Sequence, residues 1–326
     1  MRICFRVVCA ALLTLTLSLS PMFVSPSFAE PTAAGDILVA DPGSGTIHHY
    51  SASGVDLGVF ADGLSSPSWI TADRIGNIYV SEHDGPRISK FSPAGVKLLT
   101  ITTPYQPGGV QVGTDGTIYV ADYFGGKVYR YSATGADLGL FASTALSLAD
   151  FMAFDAGGNL YVTDYSREVV GRVSPTGVDL GDFVAGFPGT AGIAFDADGN
   201  LYVASFNNNI VEKYSPSGAD LGRFVSMSLS DDSMMGIAFD ASGNLYVANL
   251  AQRNIHKFSP TGADLGVFAS TGLVLPRDLV IVPVGAAPPV GTAPTVKDEC
   301  KQDGWQSFDD AFKNQGDCIQ LLNTGK

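Results

Sequence analysis

Beyond the first 29 residues the apolar positions fall in short runs of four to six. Glycine, proline, asparagine, aspartate and serine separate them. Within runs the polarity alternates: in Ile210-Val-Glu-Lys-Tyr214 the ends are apolar and the middle is polar. That period of two, with turn formers at each end, predicts short antiparallel β-strands. No stretch after residue 29 keeps a helical period.

The runs repeat. Asn77-Ile-Tyr-Val, Thr117-Ile-Tyr-Val, Asn159-Leu-Tyr-Val, Asn200-Leu-Tyr-Val and Asn244-Leu-Tyr-Val begin 40, 42, 41 and 44 residues apart, and Ile37-Leu-Val-Ala-Asp41 is a sixth, degenerate copy. A phrase such as Tyr214-Ser-Pro-Ser-Gly218 follows each copy. Then comes Asp-Leu-Gly, at Asp56, Asp137, Asp179, Asp220 and Asp264, with Val96-Lys97-Leu98 in its place in the second repeat. A fourth run such as Gly192-Ile-Ala-Phe-Asp196 completes the unit. Turns such as Asp196-Ala-Asp-Gly-Asn200 supply positive φ through glycine and local acceptors through aspartate.

A sheet of four short strands cannot bury both faces by itself. Six sheets packed radially can, with Tyr79, Tyr119, Tyr161, Tyr202 and Tyr246 filling the gaps between them. If the strands are lettered A to D outward from the channel, the chain enters at strand B (Asp36 to Asp41) and ends on a spare A strand (Asp278 to Val282). The expected fold is therefore all-β: a six-bladed β-propeller of four-stranded antiparallel blades, closed by the C-terminal A strand joining the N-terminal blade.

The ends add further segments. Arg2 and Arg6, an apolar run from Val7 to Ser20 and the small residues of Ser27-Phe28-Ala29 form the layout of a secretory signal peptide. The expected division is signal peptide 1–29, lead-in 30–35, propeller 36–283, a Pro/Ala/Gly-rich linker 284–295 and a tail 296–326. The location follows as secreted, extracellular or periplasmic. Cys300 and Cys318 remain after cleavage and are read as one disulfide. Without Arg2 and Arg6 the chain holds 17 basic against 32 acidic residues. That balance excludes nucleic acid as an expected partner, since nucleic acid needs a basic patch. No later segment is apolar enough to span a membrane, and a monomer is expected.

Gly192-Ile-Ala-Phe-Asp-Ala-Asp-Gly-Asn-Leu-Tyr-Val-Ala204, followed by an aromatic-Ser-Pro-x-Gly phrase, resembles NHL-repeat propellers. The likeness runs from about Asp36 to Pro283. It implies a family that includes binding modules, extracellular sensor domains, gluconolactonase-like metal enzymes and streptogramin lyase-like enzymes. The Cys300 to Cys318 segment resembles a short Cys-paired tail seen on bacterial exported proteins.

Loops that differ between repeats are free to carry specificity. The A–B and C–D turns are nearly uniform and share one face. The B–C and D–A loops vary and share the other, which is the expected ligand face. Candidate ligand-binding residues there are Glu82, His83, Tyr105, Asp122, Tyr123, Asp150, Asp164, Tyr165 and Arg277. Their aromatic rings, with Phe124 and Phe206, either face solvent or tuck under neighbouring loops. Asp41, Glu82, Asp122, Asp164, Ser205 and Asn249 end the six B strands. Such oxygens either attract Ca²⁺ or another divalent cation or cap their own turns. Asp150, Asp278 and Glu82 are the best metal candidates. The pattern of gluconolactonase-like ligands is incomplete, however, because no Glu or Asn starts an A strand. The Glu82-His83 pair alone is a weak acid–base signal.

The expectation is a non-catalytic secreted binding or scaffold module for an extracellular glycan, peptide or protein. A metal-dependent hydrolase or lyase at the channel mouth is the alternative.

Overall fold

The computed structural model describes residues 30–227 and 233–283. The expected signal peptide, the linker, the tail with Cys300 and Cys318, and part of one D–A loop (228–232) lie outside the described residues. The described chain holds 24 strands, β1 to β24, and no helix.

The strands form six four-stranded antiparallel sheets. The innermost strands are β4 (Pro67–Ala72), β8 (Pro107–Val112), β12 (Ala149–Phe154), β16 (Thr190–Phe195), β20 (Met234–Phe239) and β24 (Asp278–Ile281). Each contacts the innermost strands of both flanking blades, so the six close into a ring around a channel. The first blade is the seam. There β24 pairs antiparallel with β1 (Ile37–Asp41), from Ile37 opposite Ile281 to Ala40 opposite Asp278. The seam extends past the strands, where Gly35 N–H donates to Val282 O and Val282 N–H to Asp36 O.

Glycines let these inner strands approach closely. A side chain at Gly108 would place its Cβ 2.2 Å from Ala149 O of the next blade, and one at Gly192 would sit 2.3 Å from Met235 O. Neither position tolerates even a methyl group without backbone movement.

The repeated tyrosines fill the gaps between blades. The Tyr161 ring meets Phe183 of its own blade and Phe195 of the next edge-on, each at 4.9 Å. Tyr119 and Tyr202 are flanked in the same way. Four of these hydroxyls are also hydrogen-bonded. Tyr79, Tyr161, Tyr202 and Tyr246 donate to the aspartate that opens their A–B turn, at 3.0, 3.3, 3.1 and 3.2 Å. The turn asparagine bonds the same carboxylate. A cation opposite the tyrosine joins this network in the fifth and sixth blades, through Lys213–Asp196 at 3.2 Å and Lys257–Asp240 at 3.8 Å. In the seam blade His49 and Asp36 hold the equivalent place at 2.8 Å.

The outermost strand of every blade is bulged against its neighbour, and in five blades the bulge falls at the Asp-Leu-Gly phrase. In each Asp-Leu-Gly phrase the glycine has positive φ, from 81° to 92°. The preceding aspartate caps that glycine's N–H at 2.7–2.9 Å.

Candidate functional site

The B–C and D–A loops meet at one mouth of the channel. Asp150, the second residue of β12, and Arg277, which immediately precedes β24, hold equivalent positions on the fourth and first blades. In a ring of six those blades face each other. Arg277 reaches across, with Nη2 3.4 Å from Asp150 Oδ1. On the way its guanidinium lies 4.4 Å from the centroid of the Trp69 ring. Its backbone is fixed on both sides, N–H to Ala40 O and carbonyl to Gly236 N–H.

Aromatic rings surround the pair. Trp69 lies 5.7 Å from both His83 and Tyr123, and 6.3 Å from Phe151. His83 and Tyr123 meet edge-on at 5.1 Å, and Tyr123 meets Phe124 at 4.9 Å. Trp69 is almost fully buried, while Phe124 is 62 % exposed. The cluster thus runs from the channel wall out to solvent. Burial pushes the Asp150 carboxyl up from its usual range, and the Arg277 charge pulls against that shift. The Trp69 indole N–H lies near this carboxylate without closing a hydrogen bond.

The residues that follow the pair on the inner strands, with those of the other four blades, line a cavity of about 240 Å³. Asp278 lines it, with Oδ2 accepting Ile70 N–H at 3.0 Å and Oδ1 accepting Leu279 N–H at 2.9 Å. Burial outweighs these donors and pushes the Asp278 pKa up to about 7. An unfolded aspartate titrates near ~3.9. Between those values the unfolded chain releases a proton that the folded chain keeps, so stability falls as pH rises from about 4 to 7 and then levels. Asp278→Asn is expected to remove that slope, changing the difference from wild type by up to ~4 kcal/mol between pH 4 and pH 8. Urea unfolding across that range checks it; parallel pH profiles would refute the assignment. Glu82, Asp164, Asp196 and Asp240 have lowered pKa values and act in the opposite sense, losing their stabilisation only on acidification.

The rim oxygens at the B-strand ends are committed to their own loops. Glu82 is fully buried and accepts from Ser65 N–H, Arg87 and Ser89. Asp41 accepts four backbone N–H groups, from Gly43, Ser44, Val274 and Leu275. Asp164 bonds Ser147, Ser166 and Arg167, and Asp122 caps Gly125 N–H. Ser205 and Asn249 likewise bond loop groups. Among the described residues no three His, Cys, Asp or Glu side chains gather where they could hold one metal ion. The proposed set of Asp150, Asp278 and Glu82 does not fit a shared cation, because Glu82 and Asp278 have both oxygens engaged elsewhere and Asp150 faces Arg277.

The candidate aromatics divide. Tyr105 is tucked away, stacked on Tyr129 at 4.6 Å with its hydroxyl 3.0 Å from that of Tyr131. It is a packing residue and no part of the open mouth. Tyr165 is exposed, its hydroxyl 3.2 Å from Asn207 Oδ1 and its ring 6.2 Å from Phe206.

Comparison with known proteins shows how far this architecture extends. No family model and no curated protein matches the chain. Solved structures do. A chain from the nidogen/laminin complex aligns with a TM-score of 0.66 at 17% identity, covering 77% of this chain and 99% of that one. The virginiamycin B lyase of Staphylococcus aureus aligns at 0.58 and 16%, covering 72% and 80%. A putative gluconolactonase aligns at 0.57 and 17%, covering 66% and 81%. The likeness is one of fold. Propellers of this shape serve in a protein–protein complex and as enzymes alike, so the shape does not choose a function.

Trp69 and Phe151 were absent from the sequence-based site. The available signal was a departure from the repeat. At their inner-strand position three blades carry Gly109, Gly192 and Gly236, so a large ring there replaces hydrogen in the channel wall.

Proposed function

We propose that this chain is an exported NHL-type propeller that binds an extracellular glycan or peptide segment, free or within a protein, across the variable-loop mouth. The supporting observation is the continuous aromatic path from buried Trp69 through His83 and Tyr123 to the 62 % exposed Phe124. Exposed aromatic side chains beside a desolvated anchor are what binding surfaces use. The Arg277 guanidinium next to them offers donors for a ligand oxygen, and Tyr165 extends the surface toward the next blade.

The test is a glycan and peptide array probed with the purified protein and with the double variant Phe124→Ala/Tyr165→Ala. Both residues are exposed, so the variant is expected to melt like wild type and to lose at least tenfold in affinity. A ligand held equally by both proteins would refute this mouth as the site. Stoichiometric metal in the purified protein together with lactone turnover would replace the binding reading with the hydrolase one.

A further inference from the structure

The opposite face, where the uniform A–B turns lie, departs from uniformity at one place. Four blades open this turn with an aspartate that accepts the tyrosine hydroxyl: Asp73, Asp155, Asp196 and Asp240. The third blade has Gly113 there, and Thr117 stands where the others have asparagine. A hollow of about 770 Å³ opens beside it, between the third and fourth blades, with Tyr119, Phe141 and Phe154 in its wall. Cavities of this size accommodate small organic ligands.

Removing one carboxylate from a repeated network leaves its donors behind. Asp115 takes over part of the role, accepting the Thr117 N–H and hydroxyl at 3.0 Å each. It does not reach the Tyr119 hydroxyl, which has no acceptor among the described residues. Arg130, opposite Tyr119 in the strand register, lies 5.4 Å from the Phe141 ring centroid, and its buried Nε has no hydrogen-bond partner. Arg74, exposed at the lip, makes no ion pair among the described residues. The second carboxylate in the lining, Asp155, is already bonded to Asn159 and Tyr161. Beside this wall of three aromatic rings, then, the Tyr119 hydroxyl and the Arg130 Nε have no acceptor among the described residues, the Arg130 charge is shared only with Asp115, and Arg74 stands unpaired at the lip.

We propose that this hollow is a second binding site, which takes a small organic carboxylate with a flat ring as its body. The ligand carboxylate stands in for the missing turn aspartate, toward Tyr119 and the guanidinium groups. The ring packs on Tyr119, Phe141 and Phe154. A neutral ring lacks the acceptor charge, and a bare inorganic anion lacks the apolar body. This site is independent of the variable-loop mouth and stands or falls separately.

Restoring the repeat is the sharpest test. Gly113 has no positive φ, and a Cβ there would meet the Asp115 Oδ1 at 2.8 Å and the Tyr119 ring at 3.3 Å, both of them side-chain atoms on the surface of the turn. The fifth blade already carries this arrangement, with Asp196 and Asp198 in one turn. Gly113→Asp is thus expected to fold normally, to satisfy Tyr119 from within and to occupy the place the ligand carboxylate would take. Benzoate titrated into the full chain, followed by ligand-observed NMR and calorimetry, is expected to bind, with benzamide and acetate at least tenfold weaker. Gly113→Asp should abolish benzoate binding, and Arg74→Gln and Tyr119→Phe should each weaken it several-fold with unchanged melting. Failure of benzoate to bind, equal binding of benzamide, or benzoate binding undiminished in Gly113→Asp would each overturn the proposal.

Discussion

Replacing Arg277 by alanine is expected to lower the unfolding free energy by about 3–5 kcal/mol, the range for removing one partner of a buried ion pair. Asp150 is only 5 % exposed, and Arg277 is the cation beside it. The substitution strands that carboxylate and also removes the guanidinium from the face of Trp69. Burial already pushes the Asp150 carboxyl up and the substitution removes the charge that opposes this, so Asp150 can escape by taking up a proton and the loss should grow as pH rises. Denaturant unfolding of Arg277→Ala, Asp150→Ala and the double variant forms a cycle that isolates the pair. A coupling energy above about 1 kcal/mol is expected, and strict additivity would show that the contact across the channel carries no weight.

The ring seam should be worth still more. A chain ending at Arg277 lacks β24, whereas one ending at Pro283 keeps it. Without β24, Leu279 and Val282 leave the core, and Ile37, Leu38, Val39 and Ala40, all 1 % exposed or less, lose their cover on one side. Each large apolar side chain uncovered costs about 1.5–3 kcal/mol, and several together approach the ~5–15 kcal/mol by which a domain is stable at all. The unpaired β1 would also present an open edge to other chains. The shorter chain is expected to show no cooperative thermal transition, or to associate, while the longer one melts as a monomer. Circular dichroism with sedimentation velocity distinguishes the outcomes. Identical melting of both would mean that closure contributes little.

Much of this architecture is written in local phrases. Tyr79, Tyr119, Tyr161, Tyr202 and Tyr246 recur at fixed spacing, so the strand they mark and the gap they fill are legible in the repeat itself. The seam is legible because the first repeat lacks the strand that the last one has to spare. Turn capping by Asp41, Glu82, Asp122 and Asp164 is one of two readings the sequence leaves open, and local geometry favours it because their acceptors are satisfied within a few residues or by the adjoining loop. The mouth is harder to read. Arg277 meets Asp150 across 127 positions of chain and Trp69 across more, and only ring closure makes them neighbours. A periodic sequence describes each blade well and says little about what opposite blades do to each other. The gap left by Gly113 is visible as a missing aspartate, but the donors it leaves unpaired emerge only from side-chain positions.

The kinked outer strands bear on how concentrated this molecule can become. A regular peripheral strand is a template, and six of them on one disc would invite lateral growth into plates or fibres. Here a left-handed glycine, tied down by the aspartate two residues before it, breaks the row of outward amides in five of six places. A second copy brought alongside meets an interrupted ladder, and the leucines exposed there cannot recruit it into a shared sheet.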